Sequence, residues 1–295
     1  MRALLRTPDG FRLDDVPDPE PGPGEVVVAV RAASVNYLDV GFDVHPVHAQ
    51  GRPPGVDAAG EVVTAAADGS GPPVGARVAG FGFGTWAERV ALPVAEVAVV
   101  PEGVDLATAA ALTAAGVTAL RAVRALGPVL GRRVLVTGAS GGVGRFAVRL
   151  AELSGAHVVA LTGRPDAVAG PAEVVGSLDG LAPVHAVLDN AGGAVLGAAF
   201  ALLRPGGTAL SVGAAAGSAS TIDFEEERRR GGGRRIEPFV VGGAMGEDLG
   251  VLLDLVARGR LDVPVGWRGS WERADEAAAA LMERRVDGKA VLEIG

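Results

Sequence analysis

The chain has 295 residues, enough for one large domain or two ordinary ones, and 48% of them are hydrophobic against 21% charged, a globular composition. A net charge of −8 argues against nucleic acid as a partner, which wants a basic face. With no cysteine, disulfides and thiol catalysis are excluded and zinc would have no sulfur ligand. The opening "MRALLRTPDGFRLDDVPDPEPG" holds an apolar run too short for a secretory signal. The Ala/Leu-rich segments are broken by Arg, Pro and Gly before they reach ~18 uncharged residues. The expectation is a cytoplasmic protein with no membrane partner.

The first hundred residues read as short strands joined by Pro and Gly turns: "EVVVAVRAASV" (25–35), "AGEVVTAA" (59–66), "GARVAGFG" (75–82) and "WAERVALP" (86–93). From Asp105 an Ala/Leu-rich helix is predicted, closed by Gly127 and Pro128. Strands and helices then alternate. Strand "RVLVTG" leads to a helix from Gly142 to Leu153, then strands "HVVALTG" and "AEVVGSL". "AVLDNAGG", helix "AVLGAAFALL" and strand "GTALSVG" follow. Such repeated units imply a parallel sheet with right-handed crossovers. "RRRGGGRR", from Arg228 to Arg235 directly after Glu225–Glu227, reads as a mobile, solvated loop. "IEPFVVGG" and helices "EDLGVLLDLVARG" and "RADEAAAALMERR" come next, before a last strand, "KAVLEIG".

The stretch "LVTGASGGVGRFA" (135–147) carries the chemistry. Small residues between a strand and a helix let the backbone approach a pyrophosphate, and the helix N-terminus offers free N–H groups. Ser140, Gly141, Gly142 and Val143 are the candidate phosphate-binding residues, although Ala139 stands where the fingerprint has its first glycine. Val143, Phe146, Ala147 and Leu150 have core-facing spacing on the helix. About 20 residues on, an acid would read the ribose of NAD. Here Thr162 takes that place, Gly163 opens space and Arg164 offers a fork suited to a 2′-phosphate, which favours NADPH (NADP+). The alternative makes Arg164 a solvated loop cation and Asp166 the ribose partner.

"TGASGGVG" and "NAGG" resemble the short-chain dehydrogenases, but those need a Tyr and a Lys four apart after the loop. The only tyrosine, Tyr37, lies upstream, and the only lysine is Lys289. From end to end the chain instead resembles the medium-chain dehydrogenase/reductases. "VPDPEPGPGEVVVAVRAASVNYLDV", "GVDAAGEVV", "ATAAALTAAGVTAL", "GASGGVG", "LLRPGGTALSVG" and "DGKAVLEIG" occur in that family's order. Its zinc-free quinone oxidoreductase and enoyl reductase branch looks most similar.

The resemblance implies an α/β fold with a GroES-like β-rich catalytic domain (1–105 and 256–295) and a Rossmann nucleotide-binding domain (106–255), a doubly wound parallel sheet. It carries further cofactor residues: Asn36, Thr118, Asn190, Gly213, Ala214, Phe239, Val240 and Lys289. Zinc-dependent relatives have a Cys in place of Asn36 and a His in place of Val56, so no metal site is expected. His45 and His48 have no third ligand beside them. A polarised C=C is then an easier hydride acceptor than a simple ketone. The implied reaction is hydride transfer from NADPH to the β-carbon of a quinone, enone or enoyl thioester. Asn36, Tyr37 and His45 are the catalytic candidates, each with a plain packing or capping role as its alternative. Asp39 and Asp57 read as turn-capping or salt-bridging acids. The expected partners are a small-molecule substrate and a second copy in a homodimer. A carbonyl reductase, an enoyl-thioester reductase of a biosynthetic pathway, or a silent NADPH-binding protein stay open.

Overall fold

A computed structural model describes residues 1–41, 52–168, 170 and 172–295; His45 and His48 lie outside the described residues. The chain divides into two compact units, Met1–Val117 with Gly243–Gly295, and Thr118–Gly242.

The first unit opens with β1 (Arg2–Thr7) and β2 (Gly10–Asp15), an antiparallel hairpin. There follow β3 (Glu25–Val35), the single-turn α1 (Tyr37–Val40), β4 (Asp57–Thr64), β5 (Arg77–Phe81), β6 (Arg89–Pro93) and β7 (Val97–Val99). Val-rich β3 is buried along most of its length, because β4 and β15 pair with it edge to edge and β6 also adds to it. Its Val26, Val28 and Val30 pack into a core with Trp86, Leu92, Trp271 and Leu292.

Helix α2 (Leu106–Ala125) runs across the division between the units. By length and composition it could cross a membrane, although no span was expected because the Ala/Leu-rich segments are broken by Arg, Pro and Gly. In the fold 72% of that apolar window is buried, as in a core helix.

The second unit contains β8 (Arg133–Thr137), α3 (Gly142–Leu153), β9 (His157–Leu161), β10 (Glu173–Val175), β11 (Val184–Asp189), α4 (Gly193–Ala201), β12 (Leu203–Ser211), α5 (Phe224–Arg230) and β13 (Arg235–Pro238). Its strands form one parallel sheet in the order β10-β9-β8-β11-β12-β13. Strand order reverses between β8 and β11, and in such sheets ligands bind off the carboxyl ends of the strands at that reversal. Leu135, Val159, Val187, Leu196, Phe200 and Leu203 form the core beneath.

The segment 228–235, expected as a loop, splits into the end of α5 and the start of β13. The helix forms because the Asp223 carboxylate accepts from the N–H groups of Glu225 and Glu226, and because glutamates fill its first turn and arginines its last. Arg230 pairs with Glu226 at 2.9 Å and Arg234 with Glu227 at 2.8 Å.

The chain returns to the first unit with α6 (Gly246–Ala257), β14 (Val265–Ser270), α7 (Ala274–Met282) and β15 (Lys289–Glu293). Strand β15 pairs with β3 antiparallel and with β14 parallel, so it closes the first sheet from the far end of the sequence. That position brings Lys289 beside the end of β3.

Leu135 lies fully buried on the central strand of the parallel sheet. Leu135→Ala should cost about 2–5 kcal/mol of unfolding free energy, through lost transfer energy plus a residual cavity. Chemical denaturation followed by fluorescence measures it, and a loss below about 1 kcal/mol contradicts the packing described.

Candidate functional site

The chain leaves β8 at Thr137 and turns through Gly138, whose φ is +59°, a left-handed conformation natural to glycine. Ala139 needs no such backbone, which explains why alanine suffices where the fingerprint has its first glycine. It is buried, and its N–H donates to the Leu161 carbonyl at 3.1 Å, tying the turn to β9. Gly141 caps α3 at its N-terminus. A Cβ on Gly144 would collide with the Gly138 carbonyl oxygen, and one on Gly141 would come within 3.2 Å of the same atom. The glycines therefore let α3 start hard against the end of β8. Its first-turn N–H groups have no intrahelical partner and carry the positive end of the helix dipole. Phe146, Ala147 and Leu150 are buried as the spacing predicts, while Val143 is half-buried on the turn rather than in the core.

Beside the turn, the ends of β8, β11 and β12 are stitched together by Asp189. Its Oδ1 accepts from Thr137 Oγ1 at 2.5 Å, its Oδ2 from the Gly192 N–H at 2.8 Å, and its carbonyl from the N–H groups of Val212 and Gly213. Burial raises the Asp189 pKa, opposed by the Thr137 and Gly192 hydrogen bonds. Asn190 is held onto β8, its Nδ2 donating to the Thr137 carbonyl at 3.0 Å and its N–H to Thr137 Oγ1 at 3.1 Å. A Cβ on Gly213 would lie 2.8 Å from the Asn190 carbonyl oxygen, so a second glycine permits close approach here. Sequence reasoning marked Asn190 and Gly213 but not Thr137 or Asp189. An acid closing the apolar strand "AVLD" was the available signal.

At the end of β9, Thr162 Oγ1 donates to Ser140 Oγ at 2.9 Å and accepts the Arg164 N–H at 3.0 Å. The Arg164 guanidinium reaches to 3.5 Å of Ser140 Oγ. Ser140, Thr162 and Arg164 thus form one corner beside the glycine turn, with Gly163 open to solvent. Asp166, the alternative ribose partner, is exposed in the turn Pro165–Ala167. Phe239 extends from β13 with its N–H on the Ser211 carbonyl, Val240 is 85% exposed, Ala214 is exposed, and Thr118 is half-buried on α2.

The first unit holds a separate polar cluster. Asp57 is fully buried at the start of β4 and accepts three hydrogen bonds: from Ser34 Oγ at 2.5 Å, Asn36 Nδ2 at 2.8 Å and the Ala114 N–H at 2.9 Å. Asp39, also fully buried, caps α1 by accepting the Asn36 N–H at 2.7 Å on Oδ2, while its Oδ1 has no partner among the described residues. Lys289, 4% exposed, donates from Nζ to Asn36 Oδ1 at 2.5 Å. Burial lifts the Asp39 carboxyl to about 7; the Asn36 N–H opposes this and the Asp57 charge adds to it. Burial lowers the Lys289 pKa, against the pull of Asp57 and Asp39. Tyr37 opens α1 and is 41% exposed.

A zinc ion does not suit these donors. Asn36 turns its oxygen to an ammonium and its nitrogen to a carboxylate, and Val56 is a buried apolar side chain. A dinucleotide suits the second unit: the turn at 138–144 is a cradle that any added Cβ at Gly144 would obstruct.

An acid whose folded pKa is raised contributes stability that is present below its ordinary value and lost as pH rises through the raised one. For Asp39 that window runs from about 4 to about 7. Asp39→Asn removes the ionising group, so the variant should gain stability relative to the parent across this range, by on the order of a few kcal/mol. Denaturation midpoints of both proteins at pH 4.5 and 7.5 test this. A difference that does not change with pH contradicts the burial of an ionising Asp39.

Residues 22–102 match the family described as "Alcohol dehydrogenase GroES-like domain", and residues 153–292 the family described as "Zinc-binding dehydrogenase". The chain is 37% identical over 174 residues to a mycocerosic acid synthase-like polyketide synthase of Mycobacterium tuberculosis. That match takes in 55% of the chain but only 8% of the much longer synthase. It is 30% identical over 315 residues to the chloroplastic quinone-oxidoreductase QR1 of Triphysaria versicolor, covering 96% of the chain and 94% of that protein. Among solved structures, mycobacterial Rv1454c complexed with NADPH superposes with a TM-score of 0.87 at 26% identity, over 100% of both chains. With a GroES-like unit, a parallel sheet of Rossmann order and a full-length relative, the chain belongs to the medium-chain dehydrogenase/reductase superfamily, in its quinone oxidoreductase and enoyl reductase branch.

Proposed function

We propose that the protein is a zinc-independent, NADPH-dependent reductase that delivers hydride to a quinone or to the polarised C=C bond of an enone. The observation that carries this reading is the corner made by Ser140, Thr162 and Arg164 beside the phosphate turn. A carboxylate at Thr162 would repel a 2′-phosphate. A threonine hydroxyl together with a guanidinium favours one. The NADPH bound by the mycobacterial relative supports the same choice. The turn residues Ser140, Gly141, Gly142 and Val143 would hold the pyrophosphate, with Asn190, Gly213 and Ala214 along the neighbouring strand ends.

NADPH, when bound, supplies a hydride. An acceptor in which the incoming charge spreads into an enolate or hydroquinone needs no Lewis acid, which fits a chain whose Asn36 and Val56 stand where zinc ligands would. The Asn36 amide is the candidate for orienting the nicotinamide ribose or donating to the oxygen that gains charge. Tyr37, with its hydroxyl-bearing ring exposed, is a candidate proton donor, as is His45 from the sequence alone. A second reading, reduction of an enoyl thioester, is favoured by the 37% identity to a polyketide synthase segment. We place the enzyme in the cytoplasm as a homodimer.

Arg164→Ala should raise the KM for NADPH roughly tenfold or more, as expected for a lost charge-assisted contact of ~1.5–3 kcal/mol, while leaving the KM for NADH within about twofold. Steady-state kinetics with both cofactors measures the ratio. An unchanged preference removes Arg164 from the phosphate.

NADPH oxidation with a panel of quinones, short enones and enoyl thioesters tests the reaction itself. The activity should survive prolonged dialysis against a strong chelator. Inhibition that added zinc reverses contradicts the metal-free reading, and NADPH binding without turnover of any acceptor leaves a silent binding protein.

A further inference from the structure

Asn36 is held by two groups of fixed and opposite character. The Lys289 ammonium can only donate, and it donates to Oδ1 at 2.5 Å. The Asp57 carboxylate already takes N–H and O–H donors on both oxygens and receives Asn36 Nδ2 at 2.8 Å. Rotating the amide by half a turn would set its oxygen against the carboxylate and its NH2 against the ammonium, two repulsive contacts in a buried setting where charge interactions are little screened. The lysine is the only one in the chain, lies 253 positions away in sequence and is 4% exposed. It is placed there by the pairing of β15 with the end of β3, where Ala290 lies opposite Val35.

We propose that Lys289 is a positioning residue that sets the donor sense of Asn36: by occupying Oδ1 it fixes the amide with its nitrogen turned to Asp57. Among the described residues Nδ2 has one further partner, Ser34 Oγ at 3.4 Å, a longer contact than the 2.8 Å bond to Asp57, so the amide keeps its nitrogen as a donor of constant direction. Lys289 acts through Asn36 and not by gripping the cofactor itself. Asp39 and Asp57 are the acids whose charges face the ammonium and favour its protonated form in a buried place. The inference rests on the reading that Asn36 serves the reduction.

The test joins a measurement on the cofactor-free protein to a double-mutant cycle. Hydrogen exchange of the Asn36 side-chain amide, assigned by its loss in Asn36→Ala, should quicken roughly tenfold or more in Lys289→Met, because the amide is freed to rotate. Lys289→Met and Asn36→Ala should each lower kcat/KM by roughly ten- to a hundredfold, the range of a lost hydrogen bond to a charged group, and in the same parameter, kcat or the KM for NADPH. The double variant should be no worse than the worse single one within about threefold, since both remove one function. Lys289→Gln, which keeps an N–H for Oδ1, should retain more activity than Lys289→Met and replaces it in the cycle if the methionine variant does not fold. Losses that multiply in the double variant, or unchanged amide exchange, overturn the proposal. A parent protein that turns over no acceptor contradicts the proposed function instead, while the exchange measurement still decides the role of Lys289.

Discussion

The second unit is organised by a contact with no room in it: Gly144, in the first turn of α3, lies against the carbonyl of Gly138 at the end of β8. Any side chain at 144 would push the helix off the strand. With glycine there, the helix N-terminus is fixed at the carboxyl end of the central strand, and its unpaired N–H groups gather at the point where strand order reverses. The neighbouring polar groups serve the same end. Asp189 and Thr137 lock β11 and β12 to β8, and the Ser140 hydroxyl joins the turn to Thr162 at the end of β9. A rigid edge of backbone donors is the result, and a diphosphate is the ligand it suits.

The first unit confronts a different problem, the burial of charge. Removing a carboxylate from water is costly unless it is hydrogen-bonded and paired. Asp57 receives three donors and faces Lys289. Asp39 receives one on Oδ2, keeps Oδ1 without a partner among the described residues, and is accordingly held near neutrality in its titration. The amide of Asn36 lies between these charges and is the half-buried member of the group. A buried cluster of this kind is a weak source of stability for its size, and within it Asn36 is the member whose two amide atoms meet partners of opposite character, Asp57 and Lys289.

Much of the fold was legible in the chain. Strand 25–35 stands as read, α3 runs over the Gly142–Leu153 span expected of it, and the alternation after Arg133 yields the parallel sheet. What escaped had physical reasons. The hairpin β1–β2 carries Arg and Asp on its exposed faces and lacks a Val run, so its strands do not stand out by composition. Helix α5 looked like a solvated charge cluster because its stability comes from end effects, the Asp223 cap and the ordering of Glu before Arg, rather than from an apolar stripe. The corner of Ser140, Thr162 and Arg164 was readable because a strand–turn–helix unit fixes where its neighbours fall. The cluster around Asn36 was not. Its partners come from β3, α1, β4, α2 and β15, and no local spacing joins Asn36 to Lys289.

The central claim, that the turn at 138–144 is built to hold a dinucleotide with its 2′-phosphate at Arg164, is tested most directly by a crystal structure of the protein grown with NADPH. The account predicts electron density for the pyrophosphate against the backbone N–H groups of Gly142 and Val143, beside Ser140, and for the 2′-phosphate within hydrogen-bonding distance of the Arg164 guanidinium. An empty turn at saturating cofactor, or a 2′-phosphate directed away from Arg164 with Asp166 on the ribose, would contradict it.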